Sequence, residues 1–274
     1  MDIWPVIHDE RKALAADLRG RSGEDWATRS LCGQWTVRDV LAHMTSATSL
    51  TPSAFFARLI GSGFCFDKLQ ERGVAAYRGS SPAETMSNFE SVVTSVKHPP
   101  GPADTWLGET IVHAEDIRRP LGIEHHYPAE AVVRVADFYQ GSNLLIGSKR
   151  RIDGLTLRAT DAKWSHGNGP EVSGPILSLV MAMTGRQEPI DDLTGDGVAT
   201  LRSRSLSSYP AERAVVTAAG SVRLPRGGAA VRGFSNAQGR GREQRRRHRD
   251  LRHRRQAQPD ARPRHREVRF RGRR

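Results

Sequence analysis

Ser30-Leu-Cys-Gly-Gln-Trp-Thr-Val-Arg-Asp-Val-Leu-Ala-His43 changes character at a single residue, Thr36. A threonine followed three residues later by an acid, here Asp39, is a variant of the capping box that starts a helix. Val37, Val40, Leu41 and Met44 then recur at helical spacing and predict one buried stripe. The same period extends outward in both directions. Upstream, Trp4, Ile7, Leu14 and Leu18 mark a helix from about residue 4 to 18, with Gly20 just past its end. Downstream, Phe55, Phe56, Leu59 and Ile60 predict a helical stretch around 52–69. Ser81-Pro-Ala-Glu84 opens the next helix, with proline at its first position and an acid in its first turn. The prolines at 99, 100 and 102 must lie outside any helix. Another helix starts at Asp104 or Thr105 and is stopped by Pro120, and a last one runs from Pro128 through Val132, Val135, Phe138 and Leu145. Residues 1–150 therefore read as a helical bundle.

Beyond residue 150 the period changes. Gly154 to Asp161 alternates as a strand does, and the glycine-rich stretch from Trp164 to Val172 is expected to return as its hairpin partner. An apolar helix, Ile176 to Thr184, is closed by Gly185. Asp191-Asp-Leu193 suggests a short helical turn, and 195–201 an edge strand. Residues 151–202 thus form a small α+β module behind the bundle, in a chain that is mainly α.

Residues 203–274 hold 21 arginines, no lysine and five acids, a net of +16. Residues 1–202 carry a net of −4, so the +12 of the whole chain belongs to its last quarter. A segment of Arg, Gly, Ser and Pro with so few apolar residues cannot offset the entropy of ordering and is expected to be a disordered tail. Two readings of it stay open. Arginines that neutralise phosphates would make it a nucleic-acid-binding arm. An arginine-only run directly after a coherent module is also what a frameshift in GC-rich DNA produces, and we favour that reading. Cys32 and Cys65 fit no CxxC pattern, and the N-terminus has acids where a signal peptide needs basic residues. The longest apolar run, Ile176 to Met183, is too short for the roughly 20 residues of a membrane span. The expectation is a cytoplasmic protein with no membrane contact.

The chemistry-bearing residues lie in two stretches. In Gly108-Glu-Thr-Ile-Val-His-Ala-Glu-Asp-Ile-Arg-Arg-Pro-Leu-Gly122, Glu109 and His113 are four apart, on one helix face and about 5–6 Å apart at Cβ. A carboxylate and an imidazole so placed can reach one ion, although such a pair is more often a solvated face. His43 borders the apolar stripe of its own helix and points partly inward. Asp39, four residues before it, and Asp116, three after His113, are placed to accept ring N–H groups and orient the imidazoles. His125-His126 reads as an exposed loop pair, and Arg118-Arg119 as cations in a helix's last turn.

The run from Ser30 to His43 resembles the C-x-x-W-x-V-x-D-x-x-A-H region of the mycothiol-dependent maleylpyruvate isomerase family. Glu109 to Gly122 resembles that family's E-x-x-x-H-x-x-D-x-x-R-P-x-G motif. Thr160 to Trp164, Gly169 to Pro175, Gly185-Arg186 and Asp192 to Gly195 are similar to its C-terminal module. The resemblance covers roughly residues 5–202. It implies a DinB-like four-helix bundle that binds a divalent metal, zinc first among the candidates, through His43, Glu109 and His113. It also implies mycothiol as cosubstrate, a small-molecule electrophile as its partner, and isomerisation or thiol transfer as the reaction. A non-catalytic metal-binding protein is the alternative, and a nucleic-acid binder acting through the tail is a weaker one.

Overall fold

Local side-chain caps set five of the helix starts in the computed structural model, which describes residues 2–143 and 146–206. Asp2 opens α1 (Ile3–Leu18) by accepting from the backbone N–H of Trp4. Ser22 and Asp25 form a full capping box at α2 (Gly23–Ala27), and Thr36 and Asp39 form another at α3 (Val37–Ser49). Thr51 and Ser81 cap α4 (Pro52–Gly61) and α6 (Pro82–Glu90), each with proline in its first turn. Between them lies α5 (Phe66–Arg78). The helix expected around 52–69 is therefore two helices. Gly63 and Phe64 take positive φ values of 64° and 59°, and a right-handed helix cannot pass through that conformation.

α7 (Ala103–Arg118) starts directly after Pro102, and a 3-10 turn, Arg119–Leu121, extends it to the left-handed Gly122. α8 (Ala129–Gln140) follows Pro128 and stops before Leu145, which lies outside the described residues. A short α9 (Ser148–Ile152) leads into the sheet. Helices α1, α3 and α7, with α5 and α6 closing the remaining side, make the bundle. Leu14, Leu18, Val37, Val40, Leu41, Met44, Phe89, Ala114 and Ile117 form its buried core. Each fully buried aliphatic side chain there contributes about 1.5–3 kcal/mol.

A second apolar cluster joins α7 and α8 to the chain beyond residue 150, through Leu107, Ile111, Val132, Val135, Leu157, Val172, Leu179 and Val180. Helix α7 is thus buried on two sides. Its apolar residues form no single stripe, and its polar residues Glu109, His113 and Asp116 share the face left between the two cores.

The sheet has the order β2-β1-β3, from β1 (Thr156–Ala159), β2 (Ser165–His166) and β3 (Glu171–Gly174). β2 is the expected antiparallel partner, pairing His166 with Leu157. Val172, expected in that same return strand, lies on the other edge and pairs with Leu157 in parallel. α10 (Ile176–Met183) follows as expected, and Glu188–Asp192 forms a 3-10 turn. The edge strand expected over 195–201 is absent: Thr194 alone bridges to Ser173, and the chain turns into α11 (Val198–Leu206). Among its described side chains Leu201 and Ser205, four apart, are the buried ones, which is a helical period. Helix α11 also crosses the boundary expected at residue 203, and Arg204 within it donates to the backbone oxygens of Arg151 and Asp153. The rest of the arginine-rich tail, 207–274, lies outside the described residues.

Candidate metal centre

The cap at Thr36 fixes where α3 begins, and its inward stripe fixes its rotation. His43 is thereby left at the edge of that stripe, facing α7. Its Nε2 stands 3.5 Å from Oε1 of Glu109, and its side chain is 12% exposed. The rings of His43 and His113 meet edge to face at 4.9 Å, and the Trp35 ring covers His43 at the same distance. The donor atoms of His43, Glu109 and His113 all lie within 4.8 Å of one another. Ligands about 2.0–2.2 Å from one cation stand about 3–3.5 Å apart. The His43–Glu109 separation already meets that requirement, and small side-chain rotations close the rest. Two imidazoles and a carboxylate are a suitable donor set for zinc, and ligand type alone also admits iron, nickel or manganese.

The electrostatics ready His43 for a cation and leave His113 to release a proton on binding one. Burial, helped by the charge of His113, pushes His43 down to about 3, so its ring is neutral and keeps a lone pair. Burial raises the Glu109 carboxyl, while His113 and Arg11 pull it back. Burial also works against a charged His113, but the hydrogen bond to Asp116 and the neighbouring Cys32 outweigh it and lift that ring to about 10. Nδ1 of His113 donates to Oδ2 of Asp116 at 2.8 Å, which leaves Nε2 as the atom to face a cation. Asp116 is fully buried, and although burial opposes its charge, Arg186 and the bond from His113 hold it below the ordinary carboxylate value.

Asp116 thus stands where sequence reasoning placed it, beside His113. Asp39 does not touch His43. Its Oδ2 accepts from the N–H and hydroxyl of Thr36, and its Oδ1 faces Nε of Arg78 at 2.7 Å. Both oxygens are engaged at the helix start, one turn before the histidine. Arg118 and Arg119 are not merely cations beside a helix end. Arg118 is completely buried, donating to Asp17 and Tyr127, and Arg119 reaches Glu115, Glu188, Asp192 and Ser178. His125, read as exposed, is half-buried against Glu10 with 2.7 Å between Nε2 and Oε2.

Two residues near the triad escaped sequence reasoning. Arg186 follows Gly185, whose φ of 95° turns the chain at the end of α10, and its Nη2 reaches Oδ2 of Asp116 at 2.6 Å. The same nitrogen donates to the sulfur of Cys32 at 3.6 Å. Cys32, which fits no CxxC pattern, belongs to a second donor group with His113 and Asp116. The only local hint was a cation directly after a helix-ending glycine.

Residues 7–98 match the family described as Mycothiol maleylpyruvate isomerase N-terminal domain. No curated protein matches the chain. Two solved structures share its fold: mycothiol-dependent maleylpyruvate isomerase, with a TM-score of 0.51, and a histidine-to-alanine mutant of that enzyme, with 0.50. Each is 15% identical and aligns over 70% of this chain and 91% of its own. Residues 7–98, including α3 and His43, are therefore similar to the mycothiol maleylpyruvate isomerase N-terminal domain family, within a chain that shares the fold of the mycothiol-dependent maleylpyruvate isomerase.

Proposed function

We propose that the protein is a metal-dependent isomerase that uses mycothiol as its thiol cosubstrate and acts on a small electrophile with an activated double bond. The observation that carries this reading is the convergence of His43, Glu109 and His113 from two helices onto one point. The family match over residues 7–98 supports the choice of thiol and reaction.

His43, Glu109 and His113 would hold a divalent cation, zinc by preference, and leave coordination positions for an outside group. Bound there, a cation favours thiolate over thiol, and the thiolate is the nucleophile. The residues of the chain prepare that chemistry. Burial keeps His43 neutral and able to ligate, while Asp116 fixes the ring of His113 and is itself fixed by Arg186. Trp35 and the α3 stripe restrict water on one side. The thiolate adds to the double bond, the new single bond rotates, and elimination returns the thiol. Retention of the adduct instead would make the protein an S-transferase with the same first step.

The test uses the full chain supplied with zinc. Elemental analysis should find about one divalent metal per chain, and maleylpyruvate or a related electrophile should isomerise only when mycothiol is present. The triple substitution of His43, Glu109 and His113 by Ala should abolish both properties. Stoichiometric metal without thiol-dependent turnover would favour a non-catalytic metal-binding protein. Turnover that survives the triple substitution would refute the proposed centre.

A further inference from the structure

Helix α4 is apolar on every side, with Ala54, Phe55, Phe56, Ala57, Leu59 and Ile60 against a single charged residue, Arg58. A helix of that composition belongs in a core, yet Leu59 is the one residue it buries. It packs mainly on α5. Ser53, Phe56, Ala57 and Ile60, at helical spacing, form its outer face and are all exposed. Phe55 links this face to α5, with its ring centre 5.6 Å from that of Phe56 and 6.2 Å from that of Phe66. Between the two helices the N–H of Phe64 donates to the backbone oxygen of Leu59, which folds that residue back against the end of α4. Phe56 is 54% exposed, Ile60 62%, Phe64 71% and Phe66 41%. At about 200 Å² for a whole side chain of this size, the four leave roughly 450 Å² of apolar surface in water. A continuous patch of that extent on a folded chain marks a place where something else docks.

Area, shape and charge select the occupant. A stable interface takes about 800 Å² from each partner, of which a little over half is apolar. The patch on α4 and α5 supplies that apolar share by itself. Its outer stripe is also complementary to itself. When two copies of α4 lie antiparallel about a two-fold axis through the middle of the stripe, Phe56 of each meets Ala57 of the other, and Ser53 meets Ile60. Large side chains then stand opposite small ones, which lets the helices approach closely. The rim carries both signs of charge, with Arg58, Lys68 and Arg72 beside Asp67 and Glu71, all exposed. An anionic membrane needs an excess of basic residues around the apolar face. The arginine-rich segment beyond residue 206 needs an excess of acids. A mixed rim offers neither, whereas a two-fold axis brings its two signs together.

We propose that a second copy of this chain covers the face, giving a two-fold dimer in which the α4 helices pack antiparallel. Phe56 and Ile60 are its central contacts, and Phe64 and Phe66 widen it towards α5. None of these residues belongs to the metal donor group, so the dimer does not rest on the isomerase reading above.

The experiment follows the mass of the full chain by sedimentation velocity across a concentration series, in salt high enough to screen the arginine-rich segment. The mass should rise from the 30.3 kDa of one chain to twice that value. Phe56→Glu should weaken the association about a hundredfold, because each dimer would carry the change twice at the centre of its interface. Ile60→Glu should act in the same direction. Both side chains lie in water in a single copy, so circular dichroism should show the same helix content as the wild type. Hydrogen exchange needs no variant: the amides of α4 should gain protection as the wild-type concentration rises, and this decides the matter if neither variant folds. A chain that stays monomeric at every concentration would overturn the dimer. So would an association that neither substitution weakens, or exchange in α4 that is independent of concentration. Vesicles containing phosphatidylserine distinguish the lipid alternative: a monomer that cosediments with them, and loses this in Phe56→Glu, would assign the face to a membrane surface and overturn the dimer.

Discussion

Asp39 and Asp116 stand near the two histidines in sequence and have opposite roles in the structure. Asp116 accepts from Nδ1 of His113 and is held by Arg186, so it governs the ring that would face a cation. Asp116→Ala should lower zinc affinity about 10–100-fold, measured by competition with a chelating dye. Asp39 closes the capping box of α3 and faces Arg78. Asp39→Ala should cost about 1 kcal/mol of stability and leave zinc affinity unchanged. If the two variants bind zinc equally well, the separation between orienting residue and helix cap fails. Sequence alone could not separate them, because each aspartate lies within one helical turn of a histidine. The difference lies in what else reaches each carboxylate, Thr36 and Arg78 in one case and Arg186 in the other.

Among the elements, α7 carries most of the site, and its position depends on how closely α8 approaches it. A Cβ at Gly108 would lie 2.4 Å from Oη and 2.8 Å from Cζ of Tyr139, a side chain only 3% exposed. Alanine in place of glycine favours a helix by about 1 kcal/mol, but forcing a methyl group into this contact costs about 1–3 kcal/mol. We expect Gly108→Ala to lower the melting temperature and to weaken metal binding, since Glu109 is the next residue. A more stable variant with intact metal affinity would contradict this packing account. Helix starts with caps were legible here, and helix ends were less so. The break between α4 and α5 rests on positive φ values at Gly63 and Phe64, and the apolar run on either side disguises it. Helix α11 was mistaken for a strand because Leu201 and Ser205 reveal their period only when burial is known.

At the scale of the whole molecule, ion pairs tie α7 to the chain beyond α10. Arg119 meets Glu188 and Asp192, and Asp192 also accepts from Ser178. Burial works against the charged form of Asp192, but the bonds from Ser178 and Arg119 hold its carboxyl below the ordinary 3.8. A depressed carboxylate contributes stability that is complete above its unfolded pKa and is lost as pH falls through its folded one. Asp192→Asn should therefore melt below wild type near neutral pH, and the gap should close in acid, below about pH 4. The contribution is small, because 43% of the aspartate side chain is exposed and solvent screens it. A gap that stays constant down to low pH would mean that charge is not what ties these elements together.

The sequence by itself determined the helix starts at Thr36, Ser81 and Pro128, the shared face of Glu109, His113 and Asp116, and the concentration of positive charge beyond residue 202. These depend on neighbours within a few positions, and local sterics and hydrogen bonds settle them. Tertiary structure alone decided that His43 meets the pair on α7 and that Arg186 returns to Asp116. Those contacts join residues far apart in the chain. Their formation depends on which apolar faces bury one another, and a helical period reveals that a buried face exists without revealing what covers it.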